Sequence, residues 1–160
     1  MATFILNKYE AAKFKPTSSG TNVMIRVTSP EDNFLPLEHE NDFDDILTLK
    51  FYDFTEEQNG LTVFSEQHYD SIINFFQKHK MCDNMIIHCD QGMSRSAGIA
   101  VGWFLFKDER SSIYKLYHSG KHMPNRLIVK TFCKMLQKDM TLINKWEKEK
   151  LDIFKKQAGL

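Results

Sequence analysis

The chain has 160 residues, 42% hydrophobic and 12% aromatic, with 21 basic and 21 acidic side chains and a formal net charge of zero. That apolar content is enough for one core over a single domain, residues 1–160, and excludes a disulfide-stapled mini-protein and a disordered tail. Neutrality excludes a general nucleic-acid binder, whose surface carries a basic excess.

Residues 1–7, Met-Ala-Thr-Phe-Ile-Leu-Asn, lack the basic region and long apolar run of a signal peptide. Lys15-Pro16-Thr17-Ser18-Ser19-Gly20 is a loop by composition. Residues 22–27 read as a β-strand ended by Ser29-Pro30, and residues 46–51 as a second with partial alternation. Residues 66–80 predict a helix with Tyr69, Ile72, Ile73 and Phe76 on one face. The short apolar run 85–88 is a third strand, buried as parallel strands are. Residues 97–106 are apolar nearly all round, which predicts a core helix about half as long as a bilayer requires. Helices follow over 112–118, 125–138 and 141–156, the last charged and docking through Ile143, Trp146 and Leu151. Strands separated by helices make an α/β architecture, a central, mostly parallel sheet flanked by helices.

Three cysteines, Cys82, Cys89 and Cys133, do not make a disulfide framework, so a reducing cytoplasm is the expected compartment. Cys82 and Cys133 read as packing or surface thiols. No CxxC pair is present, and Gly120 between His118 and His122 points to a solvated turn rather than a metal site. No metal or cofactor is expected.

The informative stretch is His88-Cys89-Asp90-Gln91-Gly92-Met93-Ser94-Arg95-Ser96. It joins a buried strand to an apolar helix, beyond the carboxyl end of the strand, where parallel sheets bind ligands. Such a loop can turn successive N–H groups inward as an anion nest at a helix N-terminus. Gly92 supplies the backbone freedom for the curl. Arg95 adds a planar fork suited to phosphate oxygens. Inward amides, the helix N-terminus and Arg95 together favour a sulfur anion at Cys89, a nucleophile under an oxyanion cup.

His-Cys, five residues, Arg, then Ser, with Gly-x-Ser-Arg-Ser inside, resembles the signature of the cysteine-based protein phosphatases, in particular their dual-specificity and tyrosine-specific branch. Six fixed positions at background frequencies of about 5% recur by chance in roughly one such chain in a few hundred thousand. Leu49-Lys50-Phe51-Tyr52-Asp53 is similar to the strand-then-Asp element carrying that family's general acid, and Met123-Pro124-Asn125 to its Pro-Asn element. The resemblance covers about residues 20–140. It implies the dual-specificity phosphatase fold and hydrolysis of phosphotyrosine, with phosphoserine and phosphothreonine as further substrates of a shallow cleft. The partners are then phosphorylated proteins or peptides and a phosphate oxyanion in the loop Asp90 to Arg95, with no nucleic acid and no membrane.

By the same resemblance Cys89 is the nucleophile, Arg95 the phosphate clamp and Asp53 the general acid. Ser96 assists the departing thiolate and His88 tunes the loop. Ser96 also suits a helix N-cap, and His88 a strand-end core position. Glu56, Glu57, Asp42, Asp44 and Asp45 are the rival acids. An RNA 5′-triphosphatase, a phosphoinositide phosphatase and a non-catalytic phospho-partner domain are the alternative readings. Neutral charge, Asp90 in place of a basic loop residue, and the joint presence of Cys, Arg and Asp argue against them respectively.

Overall fold

The computed structural model describes residues 1–160. Its strands are β1 (Ala2–Leu6), β2 (Asn22–Thr28), β3 (Asp45–Lys50) and β4 (Asn84–His88). They form one all-parallel sheet in the order β1-β4-β2-β3. The helices are α1 (Lys8–Lys13), α2 (Glu66–Lys78), α3 (Arg95–Phe106), α4 (Arg110–Tyr117), α5 (Arg126–Met135) and α6 (Thr141–Gln157).

Side-chain alternation divides the sheet into two faces. Val23, Ile25 and Val27 of β2 and Met85 and Ile87 of β4 point into the larger core beneath α2, α3 and α5. Met24 and Ile86 point the other way, into a small cluster with Ala11 and Phe43. Both faces are therefore covered, which is why β2 is buried at every position. β3 and β4 run 45–50 and 84–88, each starting one residue earlier than its sequence pattern predicts.

Two elements escape the sequence pattern. β1 is an edge strand paired with β4 from Ala2↔Asn84 to Leu6↔His88. α1 starts from an Asn7 cap whose side chain accepts from the Glu10 amide at 2.8 Å, while Glu10 accepts from the Asn7 amide at 3.0 Å. On α2, Phe75 is buried with Tyr69, Ile72 and Phe76, and Ile73 is only partly covered. On α6, Ile143 and Trp146 dock as expected, but Leu151 is 41% exposed and Lys150 is the buried neighbour. A 17-residue helix turns 100° per residue, so the face docked at 143 and 146 returns at 150 rather than 151.

α3 is buried along almost its whole length, and α5 lies close against it. Gly98 and Gly102 permit that approach. A Cβ on Gly102 would lie 2.6 Å from the Phe132 ring, which stacks against Phe64 and Phe76 and cannot retreat. Although alanine is the better helix former, Gly102→Ala is expected to lose about 1–3 kcal/mol of stability through overpacking, read as a lower urea midpoint.

Candidate active site

All four strands end on one side of the sheet, and β4 delivers His88 and Cys89 there. The loop that follows is held by its carbonyl groups. Asp90 O accepts from the Lys8 amide (3.3 Å), Met93 O from the Met123 amide (2.9 Å), and Ser94 O from the amides of Asn125 (3.0 Å) and Gly98 (2.9 Å). Gly92 O meets His122 Nδ1 at 3.1 Å. With the carbonyls engaged outward, the amides of Asp90 through Ser94 donate to no protein atom. This is the polarity of an anion nest, continued by the N-terminus of α3 at Arg95.

Gly92 sits at φ 70°, and a Cβ there would lie 2.7 Å from the backbone of Leu6 and Asn7. The curl is thus pressed against the end of β1, whose Leu6 carbonyl also accepts from the Cys89 amide at 3.4 Å. Within the loop Gln91 and Met93 face outward, and Ser94 is half-buried.

Cys89 is buried at the base, its Sγ 3.1 Å from Ser96 Oγ on the first turn of α3. Ser96 does not cap the helix. Ser94 occupies the cap position and also forms no side-chain cap. Arg95 is buried, and Nη1 donates to the Phe51 carbonyl (2.9 Å) and Ser29 Oγ (3.2 Å). Its Nη2 pairs with Asp90 at 3.0 Å, and the other Asp90 oxygen accepts from Thr28 at 2.9 Å. Asp90 therefore braces the arginine against the end of β2. Arg95 Nε is left without a protein acceptor, next to the second Nη2 hydrogen on the same edge of the guanidinium.

Asp53 follows β3 and reaches the loop mouth. Its Oδ1 accepts from Ser94 Oγ and from Asn125 Nδ2, both at 2.7 Å. Asn125 is itself buried, capping α5 through the Ile128 amide at 3.1 Å. The rival acids lie elsewhere. Asp44 accepts from the Asn22 amide and Asp45 pairs with Lys78 and His79, all at the amino ends of strands. Asp42 sits near His39, and Glu56 and Glu57 are exposed without a hydrogen bond. Tyr52 donates to Glu31, and Phe54 is a half-exposed ring beside it.

His88 touches the loop through backbone rather than sulfur, its Nδ1 lying 3.4 Å from the Cys89 carbonyl. Its Nε2 accepts from Arg26 Nε at 3.0 Å. Burial first, and then the Arg26 charge, push its pKa down to about 4. His122 is not solvated as its sequence setting suggests. It is part-buried against Gly92, and burial lowers its pKa too. His118 bonds Glu149 and the Tyr114 carbonyl. Burial pushes the Cys133 thiol up to about 11 and raises that of Cys82. Asn125, Thr28 and the bracing role of Asp90 are the site features that sequence reasoning misses, though Asn125 lies in the Pro-Asn element it noticed.

A histidine that titrates near 6.5 when unfolded and near 4 when folded binds its proton preferentially in the unfolded chain between those values. Its contribution is present above about pH 6.5 and lost as the pH falls toward 4. For His88 that amounts to about 3 kcal/mol, and His68 and His122 act in the same direction. The unfolding midpoint is expected to fall between pH 7 and 4, and less steeply in His88→Gln.

No protein-family model matches the chain, and no curated protein matches it by sequence. Its fold does have solved counterparts. A mouse protein described as a dual-specificity phosphatase, complexed with zinc tungstate, superposes with a TM-score of 0.55 at 15% identity, covering 98% of this chain and 86% of its own. Human DUSP28 gives 0.53 at 14% identity, covering 92% of both chains. The human tyrosine phosphatase-like serine/threonine/tyrosine-interacting protein gives 0.52 at 17%, covering 72% of this chain and 76% of its own. The α/β architecture is thus the dual-specificity and tyrosine phosphatase-like fold. No helix is long and apolar enough to cross a membrane.

Proposed function

We propose that the chain is a phosphatase that hydrolyses phosphotyrosine monoesters, and phosphoserine and phosphothreonine esters in the same cleft, through a cysteinyl-phosphate on Cys89. The observation that carries this reading is a buried sulfur, 3.1 Å from a serine hydroxyl, beneath a loop whose Asp90, Gly92, Met93 and Ser94 carbonyls bond outward and whose amides from Asp90 to Ser94 bond no protein atom. A single cup then does two tasks. It favours charge on sulfur before the reaction, and holds the equatorial phosphoryl oxygens while charge spreads over them.

In the first step the Cys89 thiolate attacks phosphorus in line with the ester oxygen. The loop amides and the Nε–Nη2 edge of Arg95 bind the equatorial oxygens. Asp53 gives its proton to the leaving oxygen, which a tyrosyl or alkyl ester needs because the bare anion leaves poorly. In the second step the Asp53 carboxylate takes a proton from water as the water attacks phosphorus, releasing phosphate. Ser96 Oγ donates to the departing sulfur, and the contact at 3.1 Å supports that role. Asn125 and Ser94, both bonded to Oδ1, keep the carboxyl at the mouth of the loop. His88 holds Arg26 and the loop backbone and carries no proton in the cycle near neutral pH. The Asp90–Arg95 pair offsets the only cation in the cup, which favours singly phosphorylated groups over polyphosphorylated headgroups.

Cys89→Ser is expected to retain binding of a phosphotyrosine peptide while losing essentially all turnover; substantial residual hydrolysis would refute the nucleophile. Asp53→Asn is expected to lose about 10²–10⁴-fold in kcat on phosphotyrosine peptide and far less on p-nitrophenyl phosphate, whose leaving group needs no proton. Equal losses on the two esters would make Asp53 a structural residue.

A further inference from the structure

Beside the loop opens a cleft of about 560 Å³ that shares Asp53, Ser94 and Asn125 with the candidate site and extends to Tyr117 of α4 and Lys150 of α6. It holds more hydrogen-bond donors than acceptors can explain. Lys150 is 4% exposed, on a helix whose neighbouring positions are largely solvated. Its Nζ donates to the Tyr117 carbonyl at 3.2 Å, serving the last carbonyl of α4, and lies 5.2 Å from the Phe154 ring. No carboxylate lies within ion-pair distance. The ammonium has three donors, so two have no protein oxygen to meet.

Glu147, three residues before Lys150 on α6, lies in the same cleft but is committed to Arg126 Nη1 at 3.0 Å. A buried ammonium with two unmet donors is costly, because it forfeits the water it gave up. It is answered by a ligand group that brings anionic oxygens into the cleft. The position relative to the chemistry is also defined. Lys150 lines the same cleft as Gln91, Met93 and Ser94 of the phosphate loop. Met93, Met123 and Leu151 line the same cleft and are each about 40% exposed, leaving apolar wall for the stem of a side chain.

We propose that this cleft is a specificity subsite, resting on the phosphatase reading, that takes a second anionic group of the substrate near the phosphorylated residue, with Lys150 as its donor. The substrate class is then a phosphopeptide with an acidic flank. The anionic group is either a carboxylate or a second phosphate, two sources of the same oxygen chemistry. Sulfur attack and proton transfer stay with Cys89 and Asp53, and the subsite contributes binding and orientation.

The test uses fluorescein-labelled phosphotyrosine peptides with Glu, Gln or phosphoserine on both flanks, with binding to the full chain read by anisotropy and turnover read separately. The wild-type chain is expected to bind the Glu or the phosphoserine peptide about tenfold tighter than the Gln peptide, as one charge-assisted contact allows. Preference for Glu identifies a carboxylate, and preference for phosphoserine alone identifies a second phosphate. In Lys150→Met the ratio is expected to fall close to one, and in Lys150→Arg to be largely retained. A ratio compares two ligands on one protein, so partial unfolding of a variant does not mimic the effect. Equal binding of all three peptides by wild type, or a preference that survives Lys150→Met, overturns the subsite. Absence of turnover with any peptide would instead overturn the phosphatase reading, and leave the binding ratio to decide the subsite.

Discussion

The structure around the candidate site depends on the direction of four peptide planes, those that carry the carbonyls of Asp90, Gly92, Met93 and Ser94. A peptide group has one donor end and one acceptor end, so tying its carbonyl to the scaffold commits its amide to the other side. In the loop after Cys89 the scaffold supplies the ties from several quarters, Lys8 at the head of α1, His122, Met123 and Asn125 ahead of α5, and Gly98 from within α3. The amide cup is a by-product of carbonyl anchoring. It needs no basic side chain to exist, and so it is compatible with a chain of zero net charge.

The side chains then adjust what the peptide dipoles establish. Arg95 brings a full positive charge and Asp90 largely balances it, with Thr28 and Ser29 fixing both to the end of β2 and Phe51 to the end of β3. Rigid placement of the guanidinium is gained at the expense of long-range attraction. Such an arrangement suits a site that orients one tetrahedral group and does not need to gather highly charged ligands from a distance.

Much of the fold could be read from residue patterns. The buried strands at 22–28 and 84–88 announce themselves by continuous apolar runs, and α3 by apolarity all round. The loop is legible because glycine, arginine, serine and cysteine at fixed spacing leave few alternatives. β1 is lost for a physical reason: it is a half-exposed edge strand of five residues that draws its stability from pairing with β4, a partner about eighty residues away. α1 was in principle visible, since Asn7-Lys8-Tyr9-Glu10 is a capping box, but one turn and a half of helix gives little periodicity to find. Lys150 instead of Leu151 on the docked face of α6 shows the opposite limit. Charge type argues for the surface, helical phase for the interior, and phase prevails because the aliphatic stem packs while the head finds a carbonyl. The contact between Asn125 and Asp53, 72 positions apart, is set by where α5 begins relative to β3, which no local pattern encodes.

The placement of the other two thiols bears on oxidative chemistry. Cys82 lies before the amino end of β4 and Cys89 beyond its carboxyl end, so a five-residue strand of roughly 17 Å separates them. A disulfide tolerates only about 7 Å between α-carbons. Cys133 is eight residues into α5, roughly 12 Å along the helix from the Asn125 cap that faces the loop. Both are buried and held in the neutral thiol form. A peroxide that converts the Cys89 sulfur to a sulfenic acid would therefore find no internal thiol to capture it. Recovery would fall to a small-molecule or protein reductant arriving from solution, and further oxygenation would be irreversible.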